Sequence, residues 1–252
     1  MANALDKVAV VTGAARGIGR ALAVGFAEAG YDVAITDLPS QAQGLAETRA
    51  TIEARGRKAW VEQMDISRKA EVDAAFGHIL DQAGKIDVLV NNAGILKPSL
   101  LQDLSEKDWD AHMDVNTKGV LLACQAALPS MRKRKSGRIV NIASIAGRQG
   151  VATQGHYAAT KAAVITLTRV FAQEVGADGI TVNAICPGII LTEMGKNNLG
   201  SEEAIRHWEQ VTALKRLGQP EDIIGPALFF ASDQSAFVTG QALNVCGGIY
   251  FH

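Results

Sequence analysis

The 252-residue sequence predicts an α/β fold: one doubly wound parallel sheet of about seven strands with helices on both faces. Three observations predict it. Short β-branched runs alternate along the whole chain with stretches of helical periodicity. Glycine is abundant, at 25 residues, and proline scarce, at 6, which suits many tight strand-to-helix turns. No repeat, low-complexity tract or Pro/Ser-rich linker interrupts the pattern, so residues 1–252 read as one domain.

The strands are expected at Lys7–Thr12, Asp32–Thr36, Lys58–Gln63, Ile86–Val90, Arg138–Ile142, Ile180–Ile185 and Ala242–Val245. Each is a short run rich in Val, Ile or Thr, the length and content of a buried strand. The helices are expected at Ile18–Ala29, Gln41–Arg55, Lys69–Ala83, Glu106–Lys133, His156–Val175 and Pro220–Ala231, where apolar residues recur at helical spacing. A chain of this length buries roughly three-quarters of its unfolded surface and needs no staple. In sheets of this kind ligands sit beyond the carboxyl ends of the strands.

Composition excludes several functions. Lys plus Arg is 25 and Asp plus Glu 26, a net charge of −1, which gives no pull toward nucleic acid or an anionic membrane. Hydrophobic residues are 48% and charged residues 20%, too apolar for disorder, and aromatics at 5% leave an aliphatic core. No apolar run approaches the roughly 18 residues of a membrane helix, and Met1–Lys7 has an acid and no signal core. The three cysteines, at 124, 186 and 246, make no CxxC, which excludes a disulfide framework and fits a cytoplasmic protein. The histidines at 78, 112, 156, 207 and 252 show no metal-ligand spacing, so no metal is expected. Arg132 to Lys135, the densest charge cluster, reads as a solvated helix end whose cations face the negative pole of the macrodipole.

The first chemical signal is Val-Ala-Val-Val-Thr-Gly-Ala-Ala-Arg-Gly-Ile-Gly, with Gly13, Gly17 and Gly19 between the first strand and first helix. A sharp turn, a close backbone approach to a ligand and tight helix packing each favour glycine there, and the helix N-terminus offers free N–H groups to a pyrophosphate. This is a Rossmann-type dinucleotide loop. The second strand ends at Asp37, about 20 residues on, where an acid accepts bonds from ribose hydroxyls and repels a 2′-phosphate. Two unit charges about 4 Å apart interact by about 4 kcal/mol at an effective dielectric of 20, and solvent reduces this to about 1–3. Asp37 therefore favours NAD over NADP, with Arg16 as an opposing cation.

The second signal is Tyr157 and Lys161, i and i+4 on one helix face, with Ser144 ending a strand 13 residues earlier. A free phenol titrates near 10, too high for a base at neutral pH. A neighbouring ammonium and an oxidised nicotinamide are expected to lower it and let Tyr157 exchange a proton with an alcohol or ketone.

Together these residues resemble the short-chain dehydrogenase/reductase family in its form of about 250 residues, from Leu5 to about Gly248. Thr12 to Gly19, including Arg16 and Ile18, resembles that family's TGxxxGxG loop. Asp65-Ile66 resembles its adenine-contacting pair, and Asn91-Asn92-Ala93-Gly94 its NNAG motif. Asn116 is similar to the asparagine that holds a helix kink and a relay water. Ser144, Tyr157 and Lys161 are similar to the catalytic triplet, and Pro187-Gly188 with Ile190 and Thr192 to the segment that binds the nicotinamide carboxamide. The resemblance implies Tyr157 as general acid/base and Lys161 as the residue that lowers its pKa and holds the nicotinamide ribose. It implies Ser144 on the substrate oxygen, Asn116 in a water relay to Lys161, and a homotetramer. The apolar tail Ile249–His252 is expected to bury itself in a partner subunit. Two departures stand out: Cys246 where relatives usually carry Asp, and Ala143 where Ser or Gly is frequent. His156, beside Tyr157, is expected to serve as a neutral pocket or surface residue.

The family resemblance leaves the substrate open. Residues 191–217 read as a substrate lid, with Glu193, Lys196, Asn197, Asn198 and His207 beside Met194, Leu199 and Trp208. With Gln149, Gln154 and His156 in the cleft, this polar supply leans toward a small hydroxylated substrate such as a polyol or sugar. The rival is a 3-oxoacyl-(acyl-carrier-protein) reductase. Such enzymes generally prefer NADPH, which Asp37 opposes, and dock an acidic carrier on a basic face, where Gln173, Glu174 and Asp178 offer no cation. A non-catalytic nucleotide-binding scaffold is the third reading, opposed by the presence of the whole catalytic set.

Overall fold

In the computed structural model, which describes residues 7–251, seven strands form one parallel sheet. In chain order these are β1 (Val8–Thr12), β2 (Asp32–Asp37), β3 (Ala59–Gln63), β4 (Val88–Asn91), β5 (Gly137–Ile142), β6 (Ile180–Pro187) and β7 (Ala242–Val245). Their spatial order is β3-β2-β1-β4-β5-β6-β7. The order reverses between β1 and β4, and a crevice opens there at the carboxyl ends. The central strands β1, β4 and β6 are buried throughout, which is why they are mostly apolar, with Asn91 and Asn183 as buried polar exceptions.

The helices are α1 (Gly17–Glu28), α2 (Ala42–Glu53), α3 (Lys69–Ala83), α4 (Glu106–Met113), α5 (Gly119–Arg134), α6 (Ala146–Gln149), α7 (Gly155–Val175), α8 (Glu193–Leu199), α9 (Glu202–Val211) and α10 (Ile224–Ala231). They divide the core into two layers. Phe76, Ile79, Leu89, Met131 and Val164 fill one face of the sheet; Leu22, Phe26, Leu45, Ile52 and Phe230 fill the other.

The sequence expectation of one helix over Glu106–Lys133 needs correction. A π-helical turn at Asp114–Lys118 separates α4 from α5. The cause is a tertiary contact: the buried Asn116 side chain is drawn out of line to hold the backbone of Ile95. The basic run is the C-terminal end of α5, with Arg132 on Asp178 at 3.0 Å and Lys135 as a left-handed cap. The helices α8 and α9 fall in the stretch read only as a lid. Each starts at a capped residue: Thr192 accepts from Gly195 N–H and Ser201 from Ala204 N–H. Of the tail, Ile249 and Tyr250 pack on the chain's own core and Phe251 stays exposed, so the expected burial in a partner is not needed for the first two. Cys246, the departure from the usual Asp, donates from its thiol to the Tyr250 carbonyl at 3.5 Å. The residues Met1–Asp6 and His252, on which the signal-core and histidine readings partly rested, lie outside the described residues.

No helix among the described residues is long and apolar enough to cross a membrane. Among them, no cluster of three or more His, Cys, Asp or Glu is placed to hold a metal.

Candidate functional site

The crevice between β1 and β4 is built around two glycines. Gly13 turns the chain out of β1 at φ +67°, a conformation a side chain resists. A Cβ on Gly19 would stand 2.0 Å from the Gly13 carbonyl oxygen and 2.5 Å from Asn92 Nδ2, so the loop closes only without one. Asn92 braces the turn, donating from Nδ2 to the carbonyls of Thr12 (2.9 Å) and Gly13 (3.0 Å). Thr12 Oγ1 accepts from Asn92 and Ala93 N–H in return. The predicted cofactor residue Asn92 thus has its amide engaged within the protein.

At the start of α1, Arg16 is extended, no side chain caps the helix, and its first turn holds no acid. The positive pole and first N–H groups of Gly17, Ile18 and Gly19 are left facing the crevice, the arrangement an anion needs. Thr192 lies across it, its Cγ2 against Gly17. Asp37 ends β2 beside this loop: its Oδ2 accepts Ala15 N–H at 3.0 Å and its Oδ1 accepts Leu38 N–H at 2.9 Å. Asp65 Oδ1 accepts the Ser67 N–H and hydroxyl, at 2.9 and 2.6 Å. Burial acts to raise the Asp65 carboxyl, but the Ser67 bonds and the charges of Arg68 and Lys118 leave it below the ordinary value of 3.8. Ile66 is buried against Gly119 at the start of α5. These residues fit a dinucleotide: an open helix N-terminus for the pyrophosphate, Asp37 for a ribose, and a crevice whose walls a Cβ would fill.

The second group converges at the ends of β5 and β6. Ser144 Oγ accepts Ala146 N–H at 3.1 Å, and the Ser144 side chain is close enough to the Tyr157 phenol to lower its pKa. Lys161, one turn along α7, is buried and donates to the Ile142 carbonyl at 2.7 Å; its Nζ is 5.6 Å from the centre of the Tyr157 ring. Gly94 carries the backbone past this ammonium, since a Cβ there would lie 3.6 Å from Lys161 Nζ and 3.2 Å from Asn116 Oδ1. Asn116 Oδ1 accepts Ile95 N–H at 2.8 Å, and its Nδ2 donates to the Ile95 carbonyl at 3.0 Å and the Thr160 hydroxyl at 3.2 Å. Pro187 ends β6, Gly188 follows against Cys246, and Ile190 is buried where it bridges Gly218.

The expected lowering of Tyr157 counts on the ammonium and an oxidised nicotinamide together, and the protein alone does not produce it. Burial pushes the Tyr157 phenol up to about 12, against the lowering by Ser144 and with a further rise from the Cys186 thiol. The Lys161 ammonium is one of the two charges in that expectation. It is itself held down to about 8 by burial, and its hydrogen bond goes to Ile142.

Four contacts of the site are not apparent from the sequence. Cys186, on β6, is buried beside Ser144, Arg148 and Lys161, and burial raises its thiol. Glu193, at the start of α8, pairs with Arg16, so the opposing cation of the glycine loop has an acid on it. Gln154 Nε2 donates to Asn198 Oδ1 at 3.1 Å, tying the start of α7 to α8. His112 lies against His156 in the wall of the cleft. Short polar helices with their own caps signal α8; nothing in the spacing signals its partners. Of the polar residues assigned to this stretch, Lys196, Asn197 and His207 are exposed to solvent.

Comparison with known proteins bears on the site. A family model described as enoyl-(acyl carrier protein) reductase matches residues 13–250. The chain is similar to the 3-oxoacyl-(acyl-carrier-protein) reductase FabG of Staphylococcus epidermidis, 42% identical over 246 residues, covering 98% of this chain and 100% of the other. It is also similar to the (hydroxy(phenyl)methyl)succinyl-CoA dehydrogenase subunit BbsD of Thauera aromatica, 43% identical over 246 residues, covering 96% of each. Among solved structures, levodione reductase superposes with a TM-score of 0.93 at 33% identity over 97% of both chains.

Proposed function

The chain belongs to the short-chain dehydrogenase/reductase family of nicotinamide-dependent oxidoreductases, and from that premise we propose that it moves a hydride between NAD, favoured over NADP, and a secondary alcohol or ketone. The observation that carries the reading is the meeting of Ser144, Tyr157 and Lys161 beside the open N-terminus of α1. The nicotinamide, when bound, supplies the hydride acceptor or donor. The protein moves the proton. Ser144 and Tyr157 hold the substrate oxygen between them; in reduction the Tyr157 phenol gives its proton to the carbonyl oxygen, and in oxidation the Tyr157 phenolate, which the positive charges of Lys161 and an oxidised nicotinamide would favour, takes the alcohol proton. Lys161 keeps positive charge beside the phenol, and Asn116 holds the strip of chain from Gly94 that covers that charge. Gly13, Gly17, Ile18 and Gly19 cradle the pyrophosphate; Asp65, Ile66, Gly94, Pro187, Gly188, Ile190 and Thr192 line the rest of the cofactor cleft.

The preference for NAD is supported by two acids. Asp37 holds its carboxylate where a 2′-phosphate would sit, and Glu193 occupies Arg16, the cation of the loop. Residues 191–217 act as the lid, linked to the glycine loop by Glu193 and to α7 by Asn198. Gln154, on that link, favours a small hydroxylated substrate, a polyol or sugar.

A second substrate reading is a 3-oxoacyl or 3-hydroxyacyl thioester. It is favoured by the names of the two similar proteins given above, and by the exposure of most polar lid residues. The homotetramer of the family is carried here as part of the proposal.

The test is NADH formation, followed by absorbance, from NAD⁺ and a panel of polyols, sugars and simple secondary alcohols. In the other direction, ethyl acetoacetate and acetoacetyl-CoA are offered with NADH and with NADPH. Turnover of a polyhydroxy compound supports the first reading; turnover of acetoacetyl-CoA alone supports the second. A rate with NADPH above that with NADH at equal concentration overturns the cofactor reading.

A further inference from the structure

Two buried histidines close on one residue of the cleft wall. His112 comes from α4 and His156 from α7; they are 2% and 1% exposed. Their rings meet edge to face, with centroids 4.2 Å apart and planes at 87°. Lys97 N–H donates to His112 Nε2 at 3.2 Å, and His156 Nε2 bonds the Lys97 carbonyl at 2.9 Å. The partners fix the tautomers. A carbonyl only accepts, so His156 carries its proton on Nε2. His112 Nε2 faces a donor and is bare, and its proton sits on Nδ1, where the Asp108 carbonyl accepts at 2.6 Å. His156 Nδ1 is left bare and buried without a hydrogen-bond partner.

The clamp sits on a strip that matters. Residues 94–99 leave the end of β4, pass Lys161 at Gly94 and reach the turn before α7. The strip is pinned at alternate residues: Ile95 by Asn116, Lys97 by the two histidines, and Ser99 by its N–H donating to the Thr153 carbonyl at 2.8 Å. His156 immediately precedes Tyr157, so the Lys97 carbonyl ties the strip to the helix that carries the phenol.

We propose that His112 and His156 are positioning residues, which as neutral rings hold the strip 94–99 at a fixed distance from Tyr157 and so set where the substrate lies. This rests on the reading of Tyr157 as the proton-transferring group. Protonating His112 Nε2 would set a donor against the Lys97 N–H and open the clamp. The charged and titratable groups facing His112 are Asp108 on its own helix, Lys97 on the strip and His156 on α7. Burial holds the His112 pKa below 6.5, helped by the charge of Lys97 and opposed by Asp108. The neutral ring is therefore favoured in the fold. The clamp is complete above pH 6.5 and fails as the pH falls below the lowered value.

The test needs no known substrate. Hydrogen exchange of the Lys97 amide is read by NMR on the full chain, as wild type, His112→Leu and His112→Gln. Gln offers an acceptor oxygen and does not titrate. The wild type should protect Lys97 at pH 7.5 and lose that protection, beyond the intrinsic pH effect, as the pH falls through the lowered His112 value. His112→Leu should lack the protection at every pH; His112→Gln should keep it at both. With ethyl acetoacetate and NADH, His112→Leu should raise KM several-fold with the NADH affinity unchanged, and His112→Gln should abolish the acid limb of kcat/KM that this clamp produces. Equal Lys97 protection in wild type and His112→Leu overturns the proposal, as does an acid-sensitive Lys97 amide in His112→Gln. If His112→Leu does not fold, the comparison of wild type with His112→Gln decides alone. Failure of the Tyr157 reading is separate: it would show as a Tyr157→Phe variant that still turns over, with the exchange pattern intact.

Discussion

Lys161 donates from its ammonium to the carbonyl of Ile142, 2.7 Å away at the last residue of β5. The bond anchors α7 to the sheet beneath the phenol of Tyr157. It holds a cation in the protein interior, and burial pushes the Lys161 pKa from 10.5 down to about 8. That depression is a stability cost tied to function.

The sign of the cost sets the first prediction. The folded value lies below the unfolded one, so the fold disfavours the ammonium. The penalty is absent well above pH 10.5, grows as the pH falls to about 8, and is constant below that. At about 1.36 kcal/mol per unit it is on the order of 3 kcal/mol, less about 1 for the bond to Ile142. The Lys161→Met variant, without cofactor, should therefore melt several degrees higher than wild type at pH 7, at about 2–4 °C per kcal/mol. The gain should shrink at pH 9.5. A variant that melts lower at pH 7 would contradict the account.

A titration of tyrosinate absorbance makes the second prediction. Burial holds Tyr157 at about 12 and also raises Tyr31 above 10. Cofactor-free wild type and Tyr157→Phe should give the same tyrosinate signal up to pH 10. A component that titrates near neutral pH in wild type and vanishes in the variant would show that Lys161 already activates the phenol.

Asp37 carries the third. Its Oδ2 braces Ala15 N–H, a bond the carbonyl oxygen of an asparagine can replace. Asp37→Asn should thus keep the loop and lose the charge. The ratio of NADPH to NADH affinity, measured by cofactor fluorescence, should rise about 10-fold, the lower half of a 1–3 kcal/mol repulsion. Adding Glu193→Gln, which frees Arg16, should raise it again. An unchanged ratio in the double variant would remove both acids from cofactor choice.

Packing around the glycine loop makes the fourth. In Gly19→Ala the new methyl group has nowhere to go: the Gly13 carbonyl oxygen is 2.0 Å from its position. Overpacking of this kind costs about 1–3 kcal/mol, so Tm should fall by about 5–10 °C and NADH binding should weaken. Calorimetry and a fluorescence titration check both.

Much of this was legible in the sequence because the sheet is buried on both sides. A strand such as β1 must be a continuous apolar run, and that run stops where the chain leaves the sheet, at Thr12; the expected strand Ile180–Ile185 continues two residues further, to Pro187. The crevice followed from the alternation of strand and helix, and Gly13 and Gly19 from what a turn there can hold. What was hidden depends on contacts between distant residues. The π turn at Asn116 exists because Ile95 needs its amide, 21 positions away. Glu193 meets Arg16 across 177 positions, and His112 meets His156 across 44. For the same reason, i+4 spacing places Lys161 on the right face, but only the packed structure shows its proton donated to Ile142 and the phenol desolvated without cofactor. The lid helices were missed although Thr192 and Ser201 each head a capped turn, because seven and ten residues are too short for periodicity to register.

The central claim is that Tyr157 moves the proton while other residues hold the cofactor. The most direct measurement pairs NADH binding, by fluorescence, with turnover of the best substrate in the panel, for wild type and Tyr157→Phe. The account predicts an NADH affinity within about 3-fold of wild type and a kcat lower by about 10²–10⁴-fold. A Tyr157→Phe enzyme that binds NADH and turns over at the wild-type rate would contradict it.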